Sequence, residues 1–471
     1  MTTAQKIGTP KPNTNGAGKP SIAETTAANL TDVGNGARLA HRHGSDLRFC
    51  WVWRKWLAWT GKRWQIDAEG EVVRRAKETV RSLYAAAAKL KDDEARRALV
   101  AHARASERAA RIAAMIDMAR SEPGMDIAPD ALDCDAWALN VENGTLDLRT
   151  GDLREHRRED YCTKLAPVGY DAAALAPTWL AFLNRIFRGN ASLIDFMQRL
   201  AGYCLTADVG EQVLPIFHGV GANGKSTLLG ALLELLGPDY SAKLAPEVVL
   251  LRRGESHPTG ATDLFGRRMV CVVETDAGKR LAEATIKDLT GGDAIRARRM
   301  REDYWQFRPT HKIVMATNHR PAVRGTDHAL WRRLRLVPFG EIIGPDEQDR
   351  QLPDKLRAEL PGILAWAVRG CKQWLAQGLG EPPEVTAATD EYRDTQDLLG
   401  AFIAERCFIG PNLRTKAGDL YASYVGWCKD TGETALSQSR FGETLSERGF
   451  PREKSGVFWR LGIGLKADQD L

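Results

Sequence analysis

Residues 219–227 decide the fold and read Gly219-Val220-Gly221-Ala222-Asn223-Gly224-Lys225-Ser226-Thr227. They follow the apolar run 213–217 and precede a helix-forming run, 228–236. A strand, a glycine-rich turn and a helix N-terminus in this order turn backbone N–H groups and the positive end of a helix dipole toward phosphate. The motif predicts an ATP site in which Lys225 reaches the phosphates and Ser226 ligates Mg²⁺. The predicted nucleotide-binding residues are Gly219, Gly221, Ala222, Asn223, Gly224, Lys225, Ser226 and Thr227.

The composition of the chain limits the class of protein to which this site can belong. A chain of 471 residues predicts about three domains, and 43% hydrophobic residues can form real cores. No window approaches the roughly 18 apolar residues of a membrane span, and the start of the chain lacks the apolar stretch of a signal peptide. The eight cysteines are scattered without a C-x-x-C pair. We therefore expect a cytoplasmic protein with reduced cysteines and no membrane partner, and the net charge of +5 permits a polyanionic one.

Two apolar runs after the glycine-rich turn predict further strands of a nucleotide-binding sheet. Residues 269–274 end in Glu274, which is suited to hold the Mg²⁺ hydration shell or to polarise the attacking water. Residues 312–318 end in Asn318, an amide suited to orient water near the terminal phosphate. Both strands are expected to flank the strand that precedes the turn, because ligands bind at the carboxyl ends of such sheets.

Basic residues in two places suggest further roles. An arginine of the pair Arg332-Arg333 could reach the nucleotide of a neighbouring subunit as an arginine finger, or could form a surface ion pair. Residues 287–309 predict a basic hairpin with aromatics near its tip, which would grip a nucleic-acid backbone or simply be exposed. The predicted DNA contacts of this region are Lys287, Arg296, Arg298, Arg299, Arg301, Tyr304 and Lys312.

The flanking segments predict an organisation of four parts: a disordered tail 1–35, an N-terminal helical domain with small β elements 36–178, an ATPase domain 179–380, and a C-terminal domain 398–465. Tryptophans between 51 and 64 favour a small sheet with a buried aromatic face over a base-stacking surface. Residues 72–121 predict long helix, in two pieces. The C-terminal domain predicts a winged helix, with Arg440, Arg452 and Lys454 touching DNA, or a winged helix that contacts protein.

The sequence resembles the C-terminal half of phage and plasmid primase-helicases, whose ATPase is an AAA+-like superfamily 3 helicase of the kind also found in the poxvirus primase-helicase. The resemblance runs from about Gly36 to Leu465. Its marks are Asn143-Gly144-Thr145-Leu146-Asp147-Leu148 with Thr150-Gly151, Gly221-Ala222-Asn223-Gly224-Lys225-Ser226, Lys287 with Leu289-Thr290-Gly291-Gly292-Asp293, Thr317-Asn318-His319-Arg320-Pro321, and Trp331-Arg332-Arg333 with Val337-Pro338-Phe339.

By this resemblance, Lys225 and Ser226 are Walker A, Glu274 is Walker B, Asn318 is the sensor, and Arg332 or Arg333 is the finger. The family works as a ring, usually a hexamer, that translocates 3′ to 5′ on single-stranded DNA. Two features depart from the family. Family Walker B strands often end in two adjacent acids, whereas Thr275 and Asp276 follow Glu274 here, so either Glu274 or Asp276 could be the base. The stretch before Gly36 has no room for the primase domain of many relatives, so we expect either a separate primase partner or a helicase-only replication protein.

The expected function is therefore that of an ATP-dependent helicase that acts on single-stranded and forked DNA as a homo-hexamer during replication of a phage, prophage or plasmid. Two other classes of protein fit parts of the pattern. An origin-binding initiator would use ATP to assemble but would displace no strand. A small-molecule kinase would share the phosphate-binding turn, and its ATP hydrolysis would ignore DNA.

Overall fold

A computed structural model describes residues 29–251, 262–274, 279–297, 305–323, 328–431, 433 and 435–466. The chain divides into two compact units. The first comprises Met1–Asp135 with Glu155–Lys164, and the second comprises Ala136–Arg154 with Leu165–Leu471. Within the described ranges, no helix is both long and apolar enough to span a membrane.

The first unit is a small antiparallel sheet accompanied by four helices. Helix α1 (Asp32–His43) precedes the sheet, whose strands lie in the order β1 (Leu47–Cys50), β2 (Lys55–Trp59) and β3 (Trp64–Ile66). Helices α2 (Glu71–Ala87), α3 (Asp93–Ser106) and α4 (Ala109–Ala119) follow. The sheet interpretation of the tryptophan cluster is confirmed, since Trp56 and Trp64 are buried. Trp51 lies outside the strands, and its side chain is 54% exposed.

The helical stretch after the sheet contains three helices rather than the two expected. Asp92 stops the continuous helix because its carboxylate accepts a hydrogen bond from Glu94 N–H at 2.9 Å, which caps α3. A second break falls at Glu107 and Arg108, where Arg108 adopts an extended conformation before α4. Neither break contains Gly or Pro, so the sequence pattern did not indicate the second one.

The second unit is built on a five-stranded parallel sheet, whose strands lie in the order Leu334–Pro338, Leu214–His218, Lys312–Thr317, Met269–Glu274 and Ser241–Leu244. Its apolar strands are buried almost throughout, as expected of a parallel sheet covered on both faces. The elements up to the end of this sheet are β4 (Ala138–Val141), β5 (Gly144–Asp147), β6 (Asp152–Arg154), α5 (Pro177–Ile186), α6 (Ala191–Leu205), β7 (Leu214–His218), α7 (Lys225–Tyr240), β8 (Ser241–Leu244), β9 (Met269–Glu274), α8 (Glu283–Thr290), β10 (Ile295–Ala297), β11 (Trp305–Phe307), β12 (Lys312–Thr317), α9 (His328–Trp331) and β13 (Leu334–Pro338).

One expectation about this sheet is wrong. The strand that ends in Glu274, β9, does not flank β7, because β12 lies between them and pairs with both. Strand β13 takes the position on the other side of β7. The strand that ends next to Asn318 is therefore the central one.

The boundary between the units also differs from the one expected at residue 178. Strands β4 to β6 bury Leu139, Val141 and Leu146 in the same core as helices α5 and α6. Arg268 also ties this small sheet to the second unit, since its guanidinium donates a hydrogen bond to Ala138 O at 2.5 Å. Residues 136–154 and 165–178 therefore belong with the second unit.

Helices and two further small sheets, one of two strands and one of three, complete the described part of the second unit. The predicted hairpin is confirmed at its base, where β10 and β11 pair antiparallel from Ile295 opposite Phe307 to Ala297 opposite Trp305. The C-terminal part has a helix, strand, helix, helix and hairpin order, with its sheet arranged β14-β16-β15. The remaining elements are α10 (Leu352–Ala358), α11 (Leu360–Gln377), α12 (Pro383–Gln396), α13 (Leu398–Arg406), β14 (Cys407–Lys416), α14 (Ala417–Asp430), α15 (Gln438–Glu447), β15 (Arg452–Ser455) and β16 (Val457–Leu465).

Candidate nucleotide site at the carboxyl edge of the sheet

The glycine-rich turn links the end of β7 to the start of α7, as the sequence predicts. Gly224 caps the helix with a φ of 85°, a conformation that favours glycine. A Cβ on Gly219 would lie 2.1 Å from Phe339 O, so only glycine fits there without a shift of backbone. A Cβ on Gly221 would meet nothing within 4 Å, which shows that the turn faces open space at this position.

The turn is fixed by the segment that follows β13. Asn223 donates a side-chain hydrogen bond to Phe339 O at 3.2 Å, and Ile343 N–H donates to Ala222 O at 2.8 Å. The first intrahelical bond of α7 runs from Leu228 N–H to Gly224 O at 2.9 Å. Helix geometry therefore leaves the N–H groups of Ser226 and Thr227 without an intrahelical acceptor, in the positive end of the helix dipole.

Lys225 lies inside this turn. Its Nζ donates to Gly219 O at 2.6 Å and to Asn223 Oδ1 at 3.0 Å, and the residue is 6% exposed. Burial lowers the pKa of Lys225 to about 8, since the charged amine loses solvation. An anion beside the amine would favour its charged form, so the site as a whole suits phosphate.

Three strands of the sheet end together at this edge. Thr317 of β12 is level with His218 of β7 on one side and with Glu274 of β9 on the other. Two strand spacings of about 4.8 Å separate the turn from Glu274, which leaves roughly 10 Å for phosphates and solvent between them. Asn318, half-buried, follows Thr317 and lies between the two. Glu274 is 6% exposed.

The residues at the edge fit Mg²⁺ in the manner of a nucleotide site. Ser226 presents an exposed hydroxyl at the start of α7, and Glu274 supplies a carboxylate on the far side. No group of three or more His, Cys, Asp or Glu side chains able to hold a metal occurs within the described ranges. Few protein ligands are the rule for Mg²⁺ at phosphate sites, because phosphates and water complete its coordination.

The two arginines of the predicted finger have different surroundings. Arg333 is 8% exposed, and it donates to Thr290 Oγ1 at 3.1 Å and to Ala329 O at 2.6 Å. Arg332 is exposed, and its guanidinium lies 3.4 Å from Gln212 Oε1.

Both arginines precede β13, at the amino edge of the sheet, since Leu334 is level with Leu214. A five-residue strand of roughly 17 Å therefore separates Arg332 from the turn of its own chain.

Lys312 is not a DNA contact, contrary to the prediction. It is 4% exposed, and its Nζ donates to Thr206 O and lies 4.9 Å from the centre of the Tyr203 ring. Burial lowers the pKa of Lys312 to about 7. The residue is part of the core of the second unit.

The predicted DNA contacts at the base of the basic hairpin differ in their exposure to solvent. Arg296 is exposed, and Lys287 is half-buried on α8. Trp305 is not a tip residue, because its ring packs 4.8 Å from Phe265 and 5.0 Å from Phe307. Four predicted DNA contacts, and the alternative base, lie outside the described residues: Arg298, Arg299, Arg301, Tyr304 and Asp276.

In the C-terminal part the predicted DNA contacts are exposed. Arg452 and Lys454 belong to β15, and their charged groups lie 4.2 Å and 5.9 Å from the centre of the Phe458 ring, which is itself 42% exposed. Arg440 lies at the start of α15, and its ion pair with Glu443 measures 3.2 Å. Cation and aromatic groups thus alternate on this small sheet.

Two residues at the carboxyl edge were not assigned a role from the sequence. His218 ends β7, and burial together with the charges of Arg320 and Lys225 lowers its pKa. Arg320 follows Asn318 by two residues and pairs with Glu391 of α12 at 3.0 Å. Arg320 is therefore a second cation at this edge. Its sequence signal was its place in the family mark that starts at Thr317, two residues after Asn318.

Comparison with known proteins bears on both units. Residues 36–188 match the family model described as D5 N terminal like, and residues 217–333 match a family of unknown function, DUF5906. The protein named "Putative helicase L207/L206" of Acanthamoeba polyphaga mimivirus is 28% identical over 327 residues, which cover 63% of this chain and 33% of that protein. These matches support a primase-helicase family.

Further relatives agree. "Putative helicase 022R" of Frog virus 3 is 23% identical over 386 residues, covering 63% of this chain and 39% of the relative. "Putative primase C962R" of African swine fever virus is 24% identical over 322 residues, covering 63% and 34%. The chain thus spans little more than a third of these curated relatives. A solved structure, "The apo structure of NrS-1 C terminal region (305-718)", aligns with 89% of this chain and 96% of its own at 9% identity and a TM-score of 0.49.

Proposed function

We propose that this chain is an ATP-dependent DNA helicase with an AAA+-like superfamily 3 core, which acts in the replication of a phage, prophage or plasmid. The observation that carries the proposal is the convergence of three groups at one sheet edge. These are the Lys225 turn, the central strand that leads to Asn318, and the carboxylate of Glu274. The viral relatives named as helicases point the same way.

The residues of the edge have separable tasks in ATP hydrolysis. Lys225 and the first N–H groups of α7 hold the phosphates, while Asn318 orients the attacking water and Glu274 accepts its proton. Mg²⁺, when bound, would be held by Ser226 and Glu274 and would neutralise phosphate charge. Asp276 is the other candidate for the base.

Arg332 acts as the arginine finger in trans. Its exposure and its place at the amino edge, roughly 17 Å from its own turn, suit a contact with the nucleotide of a neighbouring protomer. A head-to-tail interface of this kind closes into a ring, and we take a homo-hexamer as its form. Arg333 instead anchors the finger through Thr290 and Ala329.

Two parts of the second unit bind DNA. The hairpin that begins with Arg296 follows one strand in the 3′ to 5′ direction, driven by hydrolysis. The C-terminal part acts as a winged helix on the fork, with Arg440, Arg452 and Lys454 as backbone contacts.

The test is ATP hydrolysis and strand displacement by the full chain, with and without single-stranded DNA. Lys225→Ala removes the phosphate-binding amine, and Lys243→Ala is the matched control because Lys243 is an exposed lysine of the same unit. The proposal expects DNA to accelerate hydrolysis, and it expects Lys225→Ala to abolish both activities while Lys243→Ala keeps them.

Other outcomes distinguish the rival functions. DNA-stimulated hydrolysis without displacement would support an origin-binding initiator instead of a motor. Hydrolysis that ignores DNA would support a small-molecule kinase and contradict the helicase.

A further inference from the structure

Helix α3 of the first unit carries a basic face, which continues to Arg108 at the break before α4. Arg97, Arg104 and Arg108 follow each other at spacings of seven and four residues, and all three are exposed. With Arg96 they line an open, shallow groove whose lining residues all lie between 96 and 108. The other residues of the groove are small or aliphatic, such as the 40% exposed Val100. No carboxylate is among its lining residues.

The arginines of this face differ from several others in the same unit. On α2, Arg74 and Arg75 pair with Glu71 at 2.6 Å and 2.8 Å, and Arg120, directly after α4, pairs with Asp117 at 2.9 Å. Across the described part of the chain, by contrast, the three arginines of the basic face form no ion pair.

Two carboxylates adjoin the face. Asp93 pairs with Arg96 of the groove, and Glu107 accepts a hydrogen bond from Tyr84 Oη at 3.2 Å. Neither carboxylate lies within ion-pair distance of Arg97, Arg104 or Arg108.

Packing fixes the direction of this face. Leu99 and Ala103, on the opposite side of α3, are buried against Leu83 and Ala87 of α2. A polar network locks the rotation of the helix, since Asn35 of α1 donates to Ser106 Oγ at 3.0 Å, and its Oδ1 lies 2.9 Å from His102 Nε2. The arginines are therefore held outward as a preformed surface.

We propose that the basic face of α3 binds the sugar-phosphate backbone of DNA without reading its sequence. A rise of 1.5 Å per residue places Arg97 roughly 10 Å from Arg104 along the axis of α3. Arg108 follows four residues later, at the break before α4. Guanidinium groups bind phosphate through paired N–H donors, and the small residues between them leave room for a backbone to lie in the groove. No aromatic ring lines the groove, so base stacking contributes nothing.

This binding needs neither ATP nor a ring, and it goes beyond the proposed helicase activity. The basic face gives the first unit a DNA-binding surface. The two other proposed DNA-binding parts, the hairpin and the C-terminal part, belong to the second unit.

The test compares two triple variants of the full chain, each lacking three positive charges of the first unit. Arg97→Ala with Arg104→Ala and Arg108→Ala removes the basic face. Arg74→Ala with Arg75→Ala and Arg120→Ala is the matched control, because those arginines are ion-paired. Binding to a fluorescent oligothymidylate and to a duplex of the same length is measured without nucleotide over a range of salt concentrations, and thermal melting checks the fold.

In the basic-face variant, the plot of log affinity against log salt concentration is expected to become less steep, by about 2 for the single strand or about 3 for the duplex. Near 0.1 M salt this change corresponds to a loss of roughly 100-fold in affinity. A loss confined to one probe identifies the form of DNA that is bound. An unchanged slope, or equal losses in the two triple variants, would overturn the proposal. If Lys225→Ala abolishes strand displacement and leaves DNA binding intact, that result tests the helicase activity and not the basic face. The proposed helicase activity and the proposed DNA binding by the basic face can therefore fail independently.

Discussion

Alanine in place of Arg332 is expected to stop ATP turnover and leave the fold intact, whereas alanine in place of Arg333 should destabilise the fold. Arg332 is exposed, so its loss should change the free energy of unfolding by no more than about 0.5 kcal/mol. A finger arginine contributes on the order of 10³-fold or more to turnover. Arg333 is buried and donates to Thr290 and Ala329, and charged-donor bonds contribute about 1.5–3 kcal/mol each, so Arg333→Ala should destabilise by about 3 kcal/mol or more.

The assay is steady-state hydrolysis of ATP with single-stranded DNA, normalised to folded protein by thermal melting. A mixing experiment sharpens it, because the Arg332→Ala and Lys225→Ala proteins lack different halves of a shared site. In a randomly mixed head-to-tail ring, about a quarter of the sites regain both halves, so two inactive proteins should recover roughly a quarter of the wild-type rate. Turnover within a few-fold of wild type in Arg332→Ala, or no recovery on mixing, would refute the reasoning.

Three further predictions concern titration and catalysis. Because the pKa of Lys225 is lowered to about 8 and phosphate needs the charged amine, ATP binding measured by calorimetry should weaken about tenfold between pH 7 and pH 9, while Lys225→Arg should flatten this dependence. The pKa of Lys312 is near 7 in the folded protein and near 10.5 in the unfolded chain. Between these two values the unfolded chain binds more protons than the folded protein, so the free energy of unfolding rises with pH. Chemical denaturation should show a gain on the order of 2 kcal/mol from pH 7 to pH 9 that Lys312→Met lacks; an equal gain in the variant would contradict the assignment. Glu274→Gln should retain ATP binding and lose about 10²-fold or more in hydrolysis, and if Asp276→Asn shows that loss instead, Asp276 is the base.

Local patterns predicted the elements of the site well. The strand, turn and helix around Lys225 form as expected because glycine spacing, apolar flanks and helix propensity act within a few residues of each other. The β10 and β11 pairing of the hairpin base is equally local. The buried tryptophans of the first unit followed from strand alternation, which is also a short-range property.

The errors come from contacts that are distant in sequence. The insertion of β12 between β7 and β9 depends on pairing across the whole sheet, which no local pattern encodes. The predicted DNA contact at Lys312 is wrong because Tyr203 and Thr206, about a hundred residues earlier in the chain, enclose its amine. The difference between Arg332 and Arg333 likewise depends on Thr290, on another helix.

The most direct test of the central claim is displacement of a strand from a duplex with a single-stranded tail on one side only. The account predicts ATP-dependent displacement when the tail is 3′, none when it is 5′, and none with either tail in Lys225→Ala. No displacement from the 3′-tailed duplex by wild-type protein that hydrolyses ATP would contradict the account.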